Sequence, residues 1–80
     1  MSEFRTAFRY QTRRTALIVL DGGGSIECLV RDISTKGARL EVIGSKKVPS
    51  DFFLFIRGQS DRFRCHLVWQ NEKLIGVQYV

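Results

Sequence analysis

The amino-acid sequence predicts a small all-β domain, an antiparallel barrel of six short strands. From residue 15 onward, short apolar stretches alternate with turn-forming residues, and no stretch shows the period of a helix. A chain of 80 residues is long enough for a single domain. A closed barrel is favoured at this size because it leaves few strand edges exposed.

Turn signals and alternation set the order of the strands. Asp21 is followed by three glycines, and this segment is typical of a hairpin loop because glycine readily adopts left-handed conformations. Residues 58–61 and 71–73 are also predicted turns. The six predicted strands are residues 15–20, 25–31, 38–42, 52–57, 62–70 and 74–79.

Alternation also predicts which side chains face the core. In the third strand the inward residues are Ala38, Leu40 and Val42. In the fifth strand Trp69 falls on the same face as Cys65, so we expect the indole to be part of the core. The aromatic residues expected to supply much of the core are Phe52, Phe53, Phe55, Phe63, Trp69 and Tyr79.

Residues 1–14 are polar and rich in arginine, and we expect them to form a flexible arm ahead of a barrel domain at residues 15–80. The chain has a net charge of +5, and arginine outnumbers lysine among its 13 basic residues. Arginine binds phosphate through two parallel hydrogen bonds and stacks on flat rings. The composition therefore favours an anionic partner, which could be a nucleic acid, a nucleotide or a membrane surface.

The composition argues against an enzyme and against a metal site. Cys28 and Cys65 lie in apolar strands, where a free buried thiol is the ordinary state. His66 follows Cys65, but neighbouring residues of a strand point to opposite faces and would not converge on a metal. The sequence offers His66 no nucleophile or carboxylate pair. It also has no apolar segment typical of a signal peptide or membrane span, so we expect a cytoplasmic protein.

One polar turn stands between the second and third predicted strands. Its sequence, Asp32-Ile33-Ser34-Thr35-Lys36-Gly37, combines an acid, a hydroxyl and a glycine. Arg9 and Arg13 precede the first strand and are four residues apart. Arginines that face a polar turn, on so small a chain, predict a site for a phosphate-bearing ligand that also carries a base.

With these two motifs on a six-strand pattern, the chain resembles the PilZ domains, bacterial receptor modules for cyclic di-GMP. The resemblance rests on an R-x-x-x-R element, from Arg9 to Arg13, and on a D/N-x-S-x-x-G element, from Asp32 to Gly37. It extends over most of the chain, from about Arg5 to the end. It implies a six-stranded barrel with the arm folded over one face, and a binding module instead of an enzyme.

The resemblance also implies the residues of the site. Arg9 and Arg13 are expected to clamp phosphate and guanine, and Arg14 to add a phosphate contact. The other expected binding residues are Asp32 and Ser34, through hydrogen bonds to a guanine or phosphate edge, and Gly37, which allows a positive φ where the backbone turns and a close approach of the ligand. Cyclic di-GMP is the implied ligand, with no further cofactor, and a downstream effector protein is the implied partner. Many members carry a C-terminal helix, and we expect none here because the sequence ends at the last strand.

Several interpretations stay open. Arg5 and Arg9 have the same spacing as Arg9 and Arg13, so the register of the arm is ambiguous. Asp32 and Ser34 could form a turn of their own, with Gly37 in a bulge. The chain could instead be a small basic barrel that binds RNA or single-stranded DNA, or a nucleotide-independent module that binds only protein.

Overall fold

The computed structural model describes residues 10–11, by their backbone alone, and residues 14–80. This part of the chain contains seven strands and no helix. The strands are β1 (Tyr10–Gln11), β2 (Thr15–Val19), β3 (Ser25–Ile33), β4 (Gly37–Val42), β5 (Asp51–Ile56), β6 (Arg62–Asn71) and β7 (Leu74–Tyr79). The predicted all-β class is confirmed.

Six of these strands close into an antiparallel barrel. Their order around the barrel is β3-β2-β5-β6-β7-β4, and β4 pairs with β3 to complete the ring. Closure depends on the length of β3, because its first half pairs with β2 and its second half pairs with β4. The predicted six-stranded barrel is therefore confirmed, and its strands lie where alternation and turn signals placed them.

The first strand, β1, lies outside this ring and was not predicted. It pairs with the end of β3, with Tyr10 opposite Ile33 and Gln11 opposite Asp32. A further hydrogen bond of 2.8 Å runs from the backbone N–H of Val30 in β3 to the carbonyl oxygen of Arg14. The chain segment that leads into the barrel thus runs beside the strand that carries the acidic motif. The division into an arm and a barrel domain at residue 15 stays a prediction.

Aliphatic side chains fill most of the barrel, and only three of the six aromatic residues expected in the core contribute to it: Phe52 is buried there, and Phe63 and Tyr79 pack against it. On β5, Phe52 is fully buried, whereas Phe53 is half-buried and Phe55 is exposed. Neighbours on a strand point to opposite faces, so an inward Phe52 places both of the others partly outside. The buried hydrophobic residues are Ala16, Ile18, Ile26, Cys28, Val30, Leu40, Val42, Val48, Phe52, Leu54, Ile56, Cys65, Ile75 and Val77.

Three ionisable groups are held in the interior or at its edge. Cys28 and Cys65 are free and fully buried, as predicted, and burial raises the pKa of Cys28 to about 12 and the pKa of Cys65 to about 11. Tyr79 stacks on Phe63 with the ring centroids 5.1 Å apart. Burial, together with the nearby Cys65, raises the pKa of Tyr79 to about 12. All three groups therefore keep their protons in the folded state into alkaline solution.

We expect the free energy of unfolding to fall as the pH rises from 9.0, the ordinary pKa of a thiol, to about 11, the raised pKa of Cys65. In this range the unfolded chain releases thiol protons that the folded chain retains, so alkaline solution favours unfolding. Urea titrations across the range measure the effect. A Cys28→Ala/Cys65→Ala variant should show a shallower fall. An equally steep fall in that variant would contradict the assignment to the thiols.

Candidate ligand-binding site

Two β-bulges shape one side of the barrel. The pairing of β3 with β4 shifts register just before Asp32, which places Asp32 opposite Arg39. The pairing of β6 with β7 shifts register just before Trp69, which places Trp69 opposite Gly76. A bulge adds one residue to a strand, and it thereby changes which side chains share a face.

The two bulges align their residues into one transverse row. Because β4 also pairs with β7, with Arg39 opposite Gly76, the row crosses β3, β4, β7 and β6 without a break. Directly opposed residues of an antiparallel pair point to the same face of the sheet. This face is the outer one, since Ile75 and Val77, on either side of Gly76, belong to the core. We call these residues (Asp32, Arg39, Gly76 and Trp69) the cross-strand row.

The cross-strand row lies in an open cleft of about 420 Å³. One wall is the polar motif that begins at Asp32, and the other comes from β6 and β7, including Trp69. Lys36 and Arg39 both line the cleft. The cleft thus combines two cationic side chains with an indole that is 43% exposed. Such a combination suits an anionic ligand with a flat ring.

Asp32 and Arg39 are joined by an ion pair. Asp32 is 4% exposed, and its Oδ2 contacts Nη2 of Arg39. A buried carboxylate requires such compensation because its desolvation is costly. The Arg39 side chain is 43% exposed, so it extends from the buried carboxylate to the surface of the cleft. Sequence analysis did not single out Arg39, because only the bulge brings it opposite the acid.

Ser34 closes the turn between β3 and β4. Its Oγ accepts hydrogen bonds from the backbone N–H groups of Lys36 and Gly37, both at 3.2 Å. Its own backbone N–H donates to the carbonyl oxygen of Gly37 at 2.8 Å. This is the local serine turn that the sequence left open. Ser34 therefore fixes the shape of the loop that lines the cleft, and its contact with a ligand stays a prediction.

Gly37 is required for a different reason from the one we expected. Its φ is not among the positive values found at the described glycines, and the bulge lies before Asp32 instead. Gly37 is buried in β4, and a Cβ there would overlap the carbonyl oxygen of Val77 in β7. The residue therefore allows two strand backbones to approach closely. Whether Gly37 also contacts a ligand stays a prediction.

The expectation that Trp69 is a core residue is wrong. Uninterrupted alternation along β6 would point it inward with Cys65, but the bulge after Leu67 reverses its direction. Its indole lies against Gly76, where a Cβ would overlap the ring. The absence of a side chain at Gly76 therefore leaves the space that the indole occupies beside the cleft.

Arg9 and Arg13 lie outside the described residues. The chain between them includes β1, whose Gln11 stands opposite Asp32. Arg14 is described and exposed, and its main chain bonds to β3. The structure thus places Tyr10 and Gln11, which lie between the two arginines in the sequence, beside the acidic motif. The roles expected for Arg9, Arg13 and Arg14 stay predictions.

The other titratable residues between positions 14 and 80 give no second centre of this kind. His66 is exposed, and its Nδ1 lies 3.1 Å from Oδ1 of Asp51. This hydrogen bond lowers the pKa of the Asp51 carboxyl. Within residues 14–80, no three histidine, cysteine or acidic side chains are grouped so that they could hold a metal ion. None of the residues that the structure describes belongs to a helix able to cross a membrane.

The chain matches a known protein family over nearly its whole length. The family model described as the PilZ domain matches residues 3–80. None of the curated proteins matches the chain significantly. The family match includes both sequence motifs and all the strands of the barrel.

Replacing Gly37 with alanine should lower the free energy of unfolding by about 1–3 kcal/mol, because the new Cβ meets a backbone carbonyl of β7. Chemical denaturation measures this change. Gly22→Ala is the matched control, since a Cβ at Gly22 meets nothing and its stability should stay within about 0.5 kcal/mol of the wild type. A Gly37→Ala protein as stable as the control would contradict the close approach of β4 and β7.

An Arg39→Met variant should be less stable by about 1–2 kcal/mol, because it removes a charged partner from the buried Asp32. The loss is smaller than for a fully buried pair, since the Arg39 side chain is partly exposed. Arg31→Met is the matched control, because Arg31 pairs with Glu41 at the surface, where the Arg31 side chain is 49% exposed and the Glu41 side chain is 44% exposed. This variant should lose about 0.5 kcal/mol or less of its free energy of unfolding. Equal losses of stability in the two variants would contradict the larger contribution expected from the pair with the buried Asp32.

Proposed function

The chain belongs to the PilZ domain family, and from this premise we propose that it is a receptor for cyclic di-GMP that signals to a partner protein. PilZ domains are generally cyclic di-GMP-binding modules and not enzymes. The observation that carries the proposal for this chain is the pairing of β1 with β3. In this pairing Gln11, which lies between Arg9 and Arg13 in the sequence, stands opposite Asp32.

Cyclic di-GMP carries two phosphates and two guanines, and the site offers groups suited to each. We assign Arg9 and Arg13 to the phosphates and to the O6 and N7 edge of guanine, which a guanidinium reads with two donors. Lys36 adds positive charge to the cleft, and the guanidinium of Arg39, which is paired with Asp32, offers N–H donors there. The half-exposed indole of Trp69 provides a surface on which a guanine can stack.

Asp32, near the end of β3, and Ser34, in the turn that follows, support this site. The Asp32 carboxylate pairs with Arg39, so in our proposal it orients that guanidinium. It also accepts a hydrogen bond from an N–H group of guanine. Ser34 keeps the turn closed through its bonds to Lys36 and Gly37. The ligand would therefore meet a loop whose geometry is already set, which limits the entropy lost on binding.

We further propose that the ligand draws the arm onto the barrel. Within the described residues, the pairing of β1 with β3 joins Tyr10 to Ile33 and Gln11 to Asp32. Contacts from Arg9 and Arg13 to a bound nucleotide would add to this pairing and order the segment. The ordered arm and the exposed part of the nucleotide would then form the surface that a cytoplasmic effector protein recognises.

Titration calorimetry with cyclic di-GMP tests the function. We expect a dissociation constant of about 1 μM or lower, weakened at least about tenfold in Arg13→Ala and in Asp32→Ala, because each removes a charge-assisted contact. Lys47→Ala is the control, since Lys47 is an exposed cation of the connection before β5 and outside the cleft. Its affinity should stay within about twofold of the wild type.

Two results would contradict the proposal. One is the absence of any binding heat with folded wild-type protein. The other is strong, salt-sensitive binding that grows with the length of a single-stranded oligonucleotide, which would favour the basic barrel that binds nucleic acid. Thermal melting of each variant separates lost binding from lost folding. Arg13 precedes the first strand of the ring in the sequence, so Arg13→Ala leaves the residues of the ring unchanged.

A further inference from the structure

The outer face of β2 and β5 carries an apolar surface that the proposed ligand site does not use. Leu17 and Val19 of β2 stand opposite Phe55 and Phe53 of β5, respectively. Leu17 is 37% exposed and Phe55 is 39% exposed, and the other two residues are partly buried. We call these four residues the β2–β5 patch. In the barrel order, β2 and β5 lie between β3 and β6, on the side away from β4 and β7.

Two arginines of β6 border the β2–β5 patch. Arg64 stands opposite Phe53, and Arg62 stands opposite Phe55. Both guanidinium carbons lie over the Phe53 ring, 5.1 Å from its centroid for Arg62 and 5.0 Å for Arg64. Among the residues that the structure describes, neither arginine forms an ion pair. Their charges are therefore held beside an apolar surface and are open to an anionic partner.

A small cleft opens within the patch itself. It measures about 240 Å³ and lies between Leu17 and Phe55, with Arg57 at its margin. This volume is smaller than that of a typical small-molecule site, and it suits a single apolar side chain. Two acids lie near the surface: Glu27, which lines the cleft together with Arg57, and Asp51, which is bonded to His66. An acidic partner would therefore place its apolar side chain in the cleft and its carboxylates at Arg62 and Arg64, on the β6 side of the patch.

We infer that the β2–β5 patch and its arginines dock an acidic segment of a partner protein. One apolar side chain of that segment enters the cleft between Leu17 and Phe55, and its carboxylates pair with Arg62 and Arg64. Aromatic residues and arginine supply much of the binding energy at protein interfaces. The charge of the border, on a chain of net charge +5, selects an acidic segment over a basic one. The inference does not depend on cyclic di-GMP, because the patch and the cleft of the cross-strand row share no residue.

Selection from a displayed library of random peptides, with the full chain as the target, tests this inference. We expect the enriched peptides to contain an aromatic or aliphatic residue flanked by aspartate or glutamate. The most enriched peptide is then synthesised with a fluorescent label, together with a copy in which asparagine and glutamine replace the acids. Fluorescence anisotropy should show binding at least about tenfold weaker for the neutral copy.

Variants of the patch locate the binding surface. Phe55→Ser should weaken the acidic peptide at least about tenfold, and so should the pair Arg62→Glu/Arg64→Glu. The pair Lys46→Glu/Lys47→Glu makes the same change in net charge away from the patch, and it should alter the affinity by about twofold or less. Cyclic di-GMP calorimetry on the patch variants should match the wild type, so that a failure of this inference is distinguishable from a failure of the proposed function.

Six outcomes would overturn the inference, and the first four concern the peptides. They are enrichment of no peptide, enrichment of peptides without acids, equal weakening by the patch and control variants, and peptide binding that survives both patch changes. Sedimentation that shows a dimer of wild-type protein but a monomer of Phe55→Ser would also overturn it, by making a second copy of this chain the occupant. Binding to phosphatidylserine vesicles that is lost in the patch variants would overturn it in favour of a membrane surface.

Discussion

The ion pair between Asp32 and Arg39 depends on one extra residue in β3. Val30 stands opposite Leu40, and regular pairing beyond that point would place Arg31 opposite Arg39. Two like charges in direct opposition are destabilising, whereas the bulge replaces that contact with an ion pair between an arginine and a carboxylate. The same shift brings the acid to the edge of the cleft. One local irregularity therefore determines both a stabilising contact and the composition of the candidate site.

The second bulge completes the site from the other direction. Without it, Val68 would stand opposite Gly76, because Leu67 stands opposite Val77. The extra residue puts Trp69 there instead, and the missing side chain of Gly76 leaves room for the indole. The barrel wall between the bulges is the β4–β7 pair, where Gly37 allows close approach of the two backbones. Two glycines and two bulges thus provide a cleft on the convex surface of a barrel too small to hold an internal cavity.

Alternation of apolar residues was enough to predict the fold, because in a small barrel each strand must present one face to the core. The site was only partly predictable. Asp32 and Ser34 were singled out from their spacing, and both line the cleft, whereas their contact with a ligand stays a prediction. Arg39 was not singled out and Trp69 was assigned to the core, since a bulge depends on how strands distant in sequence pair with each other. The glycine at position 37 was noticed for the wrong reason. A positive φ and a close backbone approach both require glycine, and they look alike in a sequence.

The account makes the cross-strand row and its cleft the place where cyclic di-GMP binds. The most direct test is a titration of ¹⁵N-labelled protein with cyclic di-GMP, followed by amide chemical shifts and by the side-chain N–H of Trp69, the only tryptophan of the chain. We expect the largest shifts at Arg9 to Arg13, from Asp32 to Gly37, and at Trp69. Largest shifts on the outer face of β2 and β5, or none anywhere at saturating nucleotide, would contradict it.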